Sequence, residues 1–185
     1  MNTNIKKVLN RKQTGFTLIE ILVVIGMIAL LAAIVIIAIN PARQFAQGRN
    51  TQRTSNVSAI LNAIGQRMAD NKGVLNCADD IPLSTLAGNL VPNPITNANW
   101  NTFGAEKISD VVATDDNLAP CLTPTYISAL PFDPSADATN GYKWVNDTDY
   151  DTGYYVVKDV NGRVTVFAPK TDLLDGKIDY IAITR

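Results

Sequence analysis

Histidine is missing altogether from these 185 residues. Without it there is no Ser/His or Cys/His nucleophile pair and no His-ligated metal. Cysteine is nearly missing too: Cys77 and Cys121 are the two in the chain, too few for a zinc site on their own. Charge is sparse, 18% of residues with a net of −1. The pI of about 5.3 argues against a nucleic-acid binder driven by overall basicity. The phosphate-cradling G-x-x-x-x-G-K-[ST] pattern is absent, so the chain carries no nucleotide loop of that kind. No repeat with a period of about 20–50 residues is visible, which excludes solenoids and propellers. With no nucleophile–base pair and no firm metal site legible, an enzyme is the least supported class. A hydrophobic content of 46% still points to a folded chain, not a disordered one.

What is present is unevenly spread. Met1 to Gly15 holds four cations, Lys6, Lys7, Arg11 and Lys12, and no acid. Phe16 to Arg67 holds one acid, Glu20, against Arg43, Arg49, Arg53 and Arg67. Met68 to Arg185 holds the other sixteen acids against eight bases, a net of −8. The chain therefore reads as a basic leader, an apolar rod with a basic outer half, and an acidic head that would repel phosphate backbones.

The apolar run dominates. Ile21 to Ile39 is nineteen residues without a polar side chain, thirteen of them Ile, Leu or Val. As a helix it spans roughly 28 Å, close to a bilayer core. A strand of that length is far outside the usual range. The run is also longer than the h-region of a secretory signal, about 7–15 residues. Ala38-Ile39-Asn40-Pro41-Ala42 gives only a poor small-residue cleavage match after it. Glu20 stands at its head. A carboxylate costs about 3 kcal/mol at a bilayer centre and less near the edge, while the branched aliphatics gain roughly 4–8 kcal/mol together. Insertion wins, and an acid kept at that position calls for a function.

Lys12-Gln13-Thr14-Gly15-Phe16-Thr17-Leu18-Ile19-Glu20, followed by the apolar run, resembles the N-terminus of type IV pilins and the related pseudopilins. The likeness covers Lys6 to Ala42, weakens along the outer helix and is loose in the head. Leu130-Pro131-Phe132-Asp133-Pro134 is similar to a Leu-Pro-x-Asp-Pro stretch of some members. The resemblance implies a prepilin peptidase that cuts between Gly15 and Phe16 on the cytoplasmic side. It implies N-methylation of Phe16, and pairing of Glu20 with the Phe16 ammonium of a neighbouring subunit or its own during assembly. It also implies a membrane-stored precursor, drawn into a helical homo-oligomeric filament by a cytoplasmic ATPase acting through an inner-membrane platform. The physics fits. Cleavage removes the four leader charges and creates one α-amino cation, with a reference pKa near 8. In low dielectric an unpaired Glu20 is disfavoured, so its partner selects the axial register. Lipid is as apolar as leucine, so packing, that pairing and external work must drive assembly.

The implied fold is α+β and type IV pilin-like. A long N-terminal helix, transmembrane in its first half and amphipathic in its second, packs on a small C-terminal antiparallel sheet of three or four strands. The expected organisation is a removable leader (1–15), the membrane and filament-core half of the helix (16–40), its outer half (41–72), an irregular connecting region (73–140) and the sheet (141–185). Pro41 should kink or melt the helix, and Gly48 is a second soft spot. Gln47 to Asn56 is polar all round and would not hold as a lone helix. Val57, Ile60, Leu61, Ile64 and Met68 recur at helical spacing and should lie under the head, with Gly73 as the stop. Strands are expected at Tyr142–Val145, Tyr154–Lys158, Arg163–Ala168 and Ile178–Thr184, with Asn161-Gly162 as a hairpin turn.

In an exported head Cys77 and Cys121 meet oxidising conditions and can pair; two reduced, buried thiols are the alternative. Asp147, Asp149 and Asp151 alternate as in calcium loops. The pattern then departs: Gly153 falls one step late and Lys158 stands where a Glu is needed. A solvated acidic turn is the first reading and a calcium site the second, with Asp133, Asp137 and Asn140 as further oxygen donors. Three functions follow: the main structural subunit of a type IV pilus-like extracellular filament; a minor pilin or pseudopilin of a type II secretion-like or competence assembly; and an unprocessed single-pass anchor displaying a binding head.

Overall fold

The computed structural model describes residues 15–75, 77, 81, 82, 84, 91, 95, 102–111, 115–136, 141–169, 171, 172 and 180–185. The leader cations, Asp137, Asn140 and the first two residues of the last expected strand lie outside them. The chain divides into two compact units, Met1–Pro41 and Ala42–Arg185.

The first unit holds α1, Leu18–Ala38. At 21 residues it is about 31 Å long, and none of its side chains is buried. Among the described residues it is the one helix long and apolar enough to cross a membrane. The expected single helix is interrupted. At Ile39 the backbone turns extended (φ −94°, ψ 110°), and Pro41 opens a new helix, α2, Pro41–Asp70. Asn40 precedes a proline and is steered away from helical angles. Pro41 itself suits a first helical position, where its missing N–H has no partner to lose. So the proline starts a helix instead of bending one, and the helix is unbroken across Gly48.

α2 ends in a Schellman turn. Lys72 takes the left-handed position (φ 57°) and Gly73 follows at φ 88°. The Gly73 N–H reaches back to the Met68 carbonyl at 2.7 Å, satisfying an orphan acceptor of the last turn.

The second unit packs α2 against an antiparallel sheet of five strands, not three or four. β1 is Glu106–Ser109, β2 Lys143–Asn146, β3 Asp149–Lys158, β4 Val164–Ala168 and β5 Ile181–Thr184. The order is β1-β3-β4-β5, with β2 also paired to β3. β1 is the unexpected strand. It lies in the region read as irregular, and a short helix, α3 (Ala119–Leu122), follows it. β3 is longer than expected, because the acidic residues from Asp149 onward are strand and not turn. Asn161-Gly162 lies in a wider loop closed by the Asp159 N–H on the Arg163 carbonyl at 2.9 Å, with Gly162 at φ 80°.

Alternation sets the core. Tyr154 and Val156 of β3, with Val164, Val166 and Ala168 of β4, share one cluster with Val57, Ile60, Leu61 and Ile64 of α2. Val157 and Phe167 point to the other face, into a second cluster with Ile95 and Phe103. Both faces are covered, which explains the near-continuous apolar run of β4. Cys77 and Cys121 form a disulfide with Cα atoms 5.5 Å apart and a sequence separation of 44.

Candidate functional site

The N-terminal site is built by six residues, Gly15 to Glu20. Thr17 has extended angles (φ −78°, ψ 152°) and caps α1. The Thr17 N–H donates to Glu20 Oε2 at 2.7 Å, and the Thr17 hydroxyl donates to the same oxygen at 2.8 Å. The Glu20 N–H donates back to Thr17 Oγ1 at 3.3 Å. This is a capping box: cap and third helical residue satisfy each other's orphan donors. The anion also lies at the positive end of the helix dipole. The one acid of the apolar segment is therefore held within its own chain. Phe16, one residue ahead of the cap, is 85% exposed. The Thr-x-x-Glu spacing that announces this cap is present in the sequence at Thr17-Leu18-Ile19-Glu20.

A second constellation lies on the polar stretch of α2. Arg53, 2% exposed, donates through Nε and Nη2 to both oxygens of Asp133, 1% exposed, at 2.8 and 3.0 Å. Its Nη1 bonds Asp172 Oδ2 at 2.5 Å. Arg49 makes two further bonds to Asp172, at 2.8 and 2.6 Å. The Asn50 side-chain amide donates to the Asp172 carbonyl while its oxygen accepts the Asp172 N–H, both at 3.0 Å. Asn56 donates to the Phe132 carbonyl and to the Tyr154 hydroxyl. The hydrogen bonds of Arg49, then those of Arg53, pull the Asp172 carboxyl down to about 2 against the opposing effect of burial. Burial pushes the Tyr154 phenol above its ordinary value. The stretch expected not to hold as a lone helix is thus not alone, because its polar side chains are the grip on the head.

The acidic residues of the proposed calcium loop have separate neighbours. Asp147 lies in the β2–β3 turn, Asp149 pairs with Lys143, and Asp151 bonds Lys107 at 2.9 Å. Among the described residues no group of three metal-ligating side chains is gathered. Asp133, offered as a further donor, is buried against Arg53.

Residues 10–39 match the family model described as the prokaryotic N-terminal methylation motif. No curated protein and no solved structure matches the chain. The matched segment contains Gly15, Phe16, the Thr17–Glu20 cap and α1. The second unit is α+β, a helix on an antiparallel sheet, consistent with a pilin-like fold. By its N-terminus, then, this chain carries the prokaryotic N-terminal methylation motif, which matches the class III signal peptide seen in type IV pilins.

Proposed function

We propose that the chain is the structural subunit of a type IV pilus-like extracellular filament. It is stored in the membrane as a precursor, cut after Gly15, N-methylated on Phe16 and polymerised through α1. One observation carries this reading: a 21-residue apolar helix with no buried side chain lies within a methylation-motif match. Such a surface needs lipid before assembly and other copies of itself afterwards.

Glu20 has two successive partners in this scheme. In the precursor, Thr17 supplies two donors to the carboxylate. After cleavage the Phe16 amine appears one residue ahead of Thr17, and methylation keeps it cationic. A capped carboxylate is satisfied but still charged, so an ammonium in a low-dielectric bundle adds what the cap cannot. The work of extraction falls to a cytoplasmic ATPase and its membrane platform.

Mass spectrometry of the mature N-terminus tests the reading. The expected product starts at Phe16, lacks fifteen residues and carries one methyl group. A chain that keeps Met1 to Gly15 would instead be the single-pass anchor. Abundance on sheared surface filaments separates the main subunit from a minor pilin or pseudopilin: the proposal requires the chain to be the bulk of the fibre.

A further inference from the structure

Two stretches of the chain have the Asn-x-Ser/Thr spacing of an N-glycosylation acceptor, Asn56-Val57-Ser58 and Asn146-Asp147-Thr148. The spacing alone is a weak signal, and a usable acceptor must also lie on an exported surface loop. The fold treats the two stretches in opposite ways.

The first is closed. Asn56 lies on α2 and is 6% exposed. Its Nδ2 donates to the Phe132 carbonyl at 3.0 Å and to the Tyr154 hydroxyl at 2.9 Å, which uses both amide hydrogens. Its Oδ1 accepts from Gln52 Nε2 at 2.8 Å. The Ser58 hydroxyl turns away to the Thr54 carbonyl at 2.8 Å. A sugar on that nitrogen would displace bonds that hold α2 to the head.

The second is open. Asn146 ends β2 and pairs with Asp149 across the two-residue turn Asp147-Thr148. Asn146, Asp147 and Thr148 are all exposed. Thr148 donates twice to Asn146 Oδ1, through its N–H at 2.8 Å and its hydroxyl at 2.9 Å. A backbone N–H can only donate, so the amide atom that faces it is the oxygen. The NH2 group is therefore turned outward, and it bonds none of the described residues. Two donors on the oxygen also polarise the amide and make its hydrogens easier to lose.

We propose that Asn146 is an N-glycosylation site, with Thr148 as the positioning residue for its amide. The substrate class is an oligosaccharide carried on a polyprenyl diphosphate, presented by a membrane transferase outside the cytoplasm. Nδ2 bonds to the anomeric carbon of the first sugar, and the bond from that carbon to the diphosphate oxygen breaks. The polyprenyl diphosphate leaves with the electron pair, one amide proton is lost, and nothing is oxidised or reduced. The sugar then stands beside Val145, 59% exposed, and gives that apolar side chain a hydrophilic neighbour. The inference rests on export of the head, which the filament reading supplies.

Tryptic peptides of the full chain, made in its own cells, test this. Cleavage at Lys143 and Lys158 releases residues 144–158 with Asn146; cleavage at Arg53 and Arg67 releases residues 54–67 with Asn56. Peptide 144–158 should gain the mass of a glycan, placed on Asn146 by fragmentation, and peptide 54–67 should gain none. Asn146→Gln and Thr148→Val should each lose the added mass. Thr148→Ser keeps the hydroxyl and should retain it. A wild-type chain that begins at Phe16, holds the Cys77–Cys121 bond and yields only unmodified 144–158 overturns the site and leaves the filament reading standing. So does a glycan that survives Thr148→Val, or one that fragmentation places on Asn56. A glycosylated chain that still begins at Met1 keeps the site and removes the filament reading. If the chain stays in the cytoplasm with both thiols reduced, the two fall together.

Discussion

Arg53 shows what a single buried cation can organise. Its guanidinium faces Asp133 with two bonds and Asp172 with a third. It thereby joins α2 to the Phe132–Asp133 segment and to the segment after β4. Arg53→Met should cost about 3–5 kcal/mol, because it strands a buried carboxylate. Thermal unfolding of the full chain in detergent would read this as a large loss of Tm, and pairing it with Asp133→Leu should recover much of the loss. Asp172 adds a pH dependence. Its folded pKa, about 2, lies below the unfolded reference of about 3.9. A depressed carboxyl stabilises the fold above the unfolded value and loses that contribution as pH falls through the folded one. Stability of the wild type should therefore decline between about pH 4 and pH 2 more steeply than that of Asp172→Asn. Equal slopes in acid titrations followed by circular dichroism would contradict this.

Among the elements, β3 carries the most constraint. Its pairing with β1 shifts register between Lys107 and Ser109. Gly153 sits on that stretch at φ 72°, where a Cβ would lie 2.9 Å from the Tyr142 ring. Gly153→Ala should cost about 1–3 kcal/mol for a non-glycine residue held at such angles, plus whatever the ring must move. Adding Tyr142→Ala should return only the part due to contact, and two melting curves decide it. The disulfide acts through the unfolded chain: joining residues 44 apart is worth about 4 kcal/mol on the chain-entropy estimate. Cys77→Ser with Cys121→Ser should lower Tm accordingly and leave processing at Gly15 unchanged. Elements with a local signature were legible in the sequence. The Val57–Met68 stripe, the Gly73 stop and four of the five strands follow from spacing and turn chemistry. β1 was not legible, because Glu106-Lys107 is polar and its strand character comes from pairing with β3. The Arg53–Asp133 pair was not legible either. Its members are 80 residues apart, and a polar helix face looks the same from sequence whether water or a head covers it. At the N-terminus both the charge of Glu20 and the Thr-x-x-Glu spacing of its cap stood in the sequence, and the backbone added the hydrogen bonds that join them.

At the scale of the whole molecule, the proposed filament scheme has one carboxylate link storage in the membrane to growth of a fibre. Two physical roles for Glu20 coexist in the structure and the scheme: hydrogen-bond acceptor for Thr17 and counter-charge for the Phe16 amine. They can be separated, because glutamine serves the third position of a capping box nearly as well as glutamate but carries no charge. Glu20→Gln should keep α1 capped, insert at least as readily as the wild type, and be trimmed after Gly15 normally. It should nonetheless fail to assemble, because no anion meets the new ammonium. Glu20→Ala should fail in the same way and also lose the cap, about 1 kcal/mol of helix stability. Thr17→Val gives the reciprocal case, with cap weakened and charge kept, and should still yield fibres in reduced amount. Counting filaments from strains that express each variant as the sole copy, beside mass spectra of the trimmed N-terminus, distinguishes the two roles. Fibres from Glu20→Gln in wild-type quantity would mean that the cap alone is what the residue is for, and the pairing account would be lost.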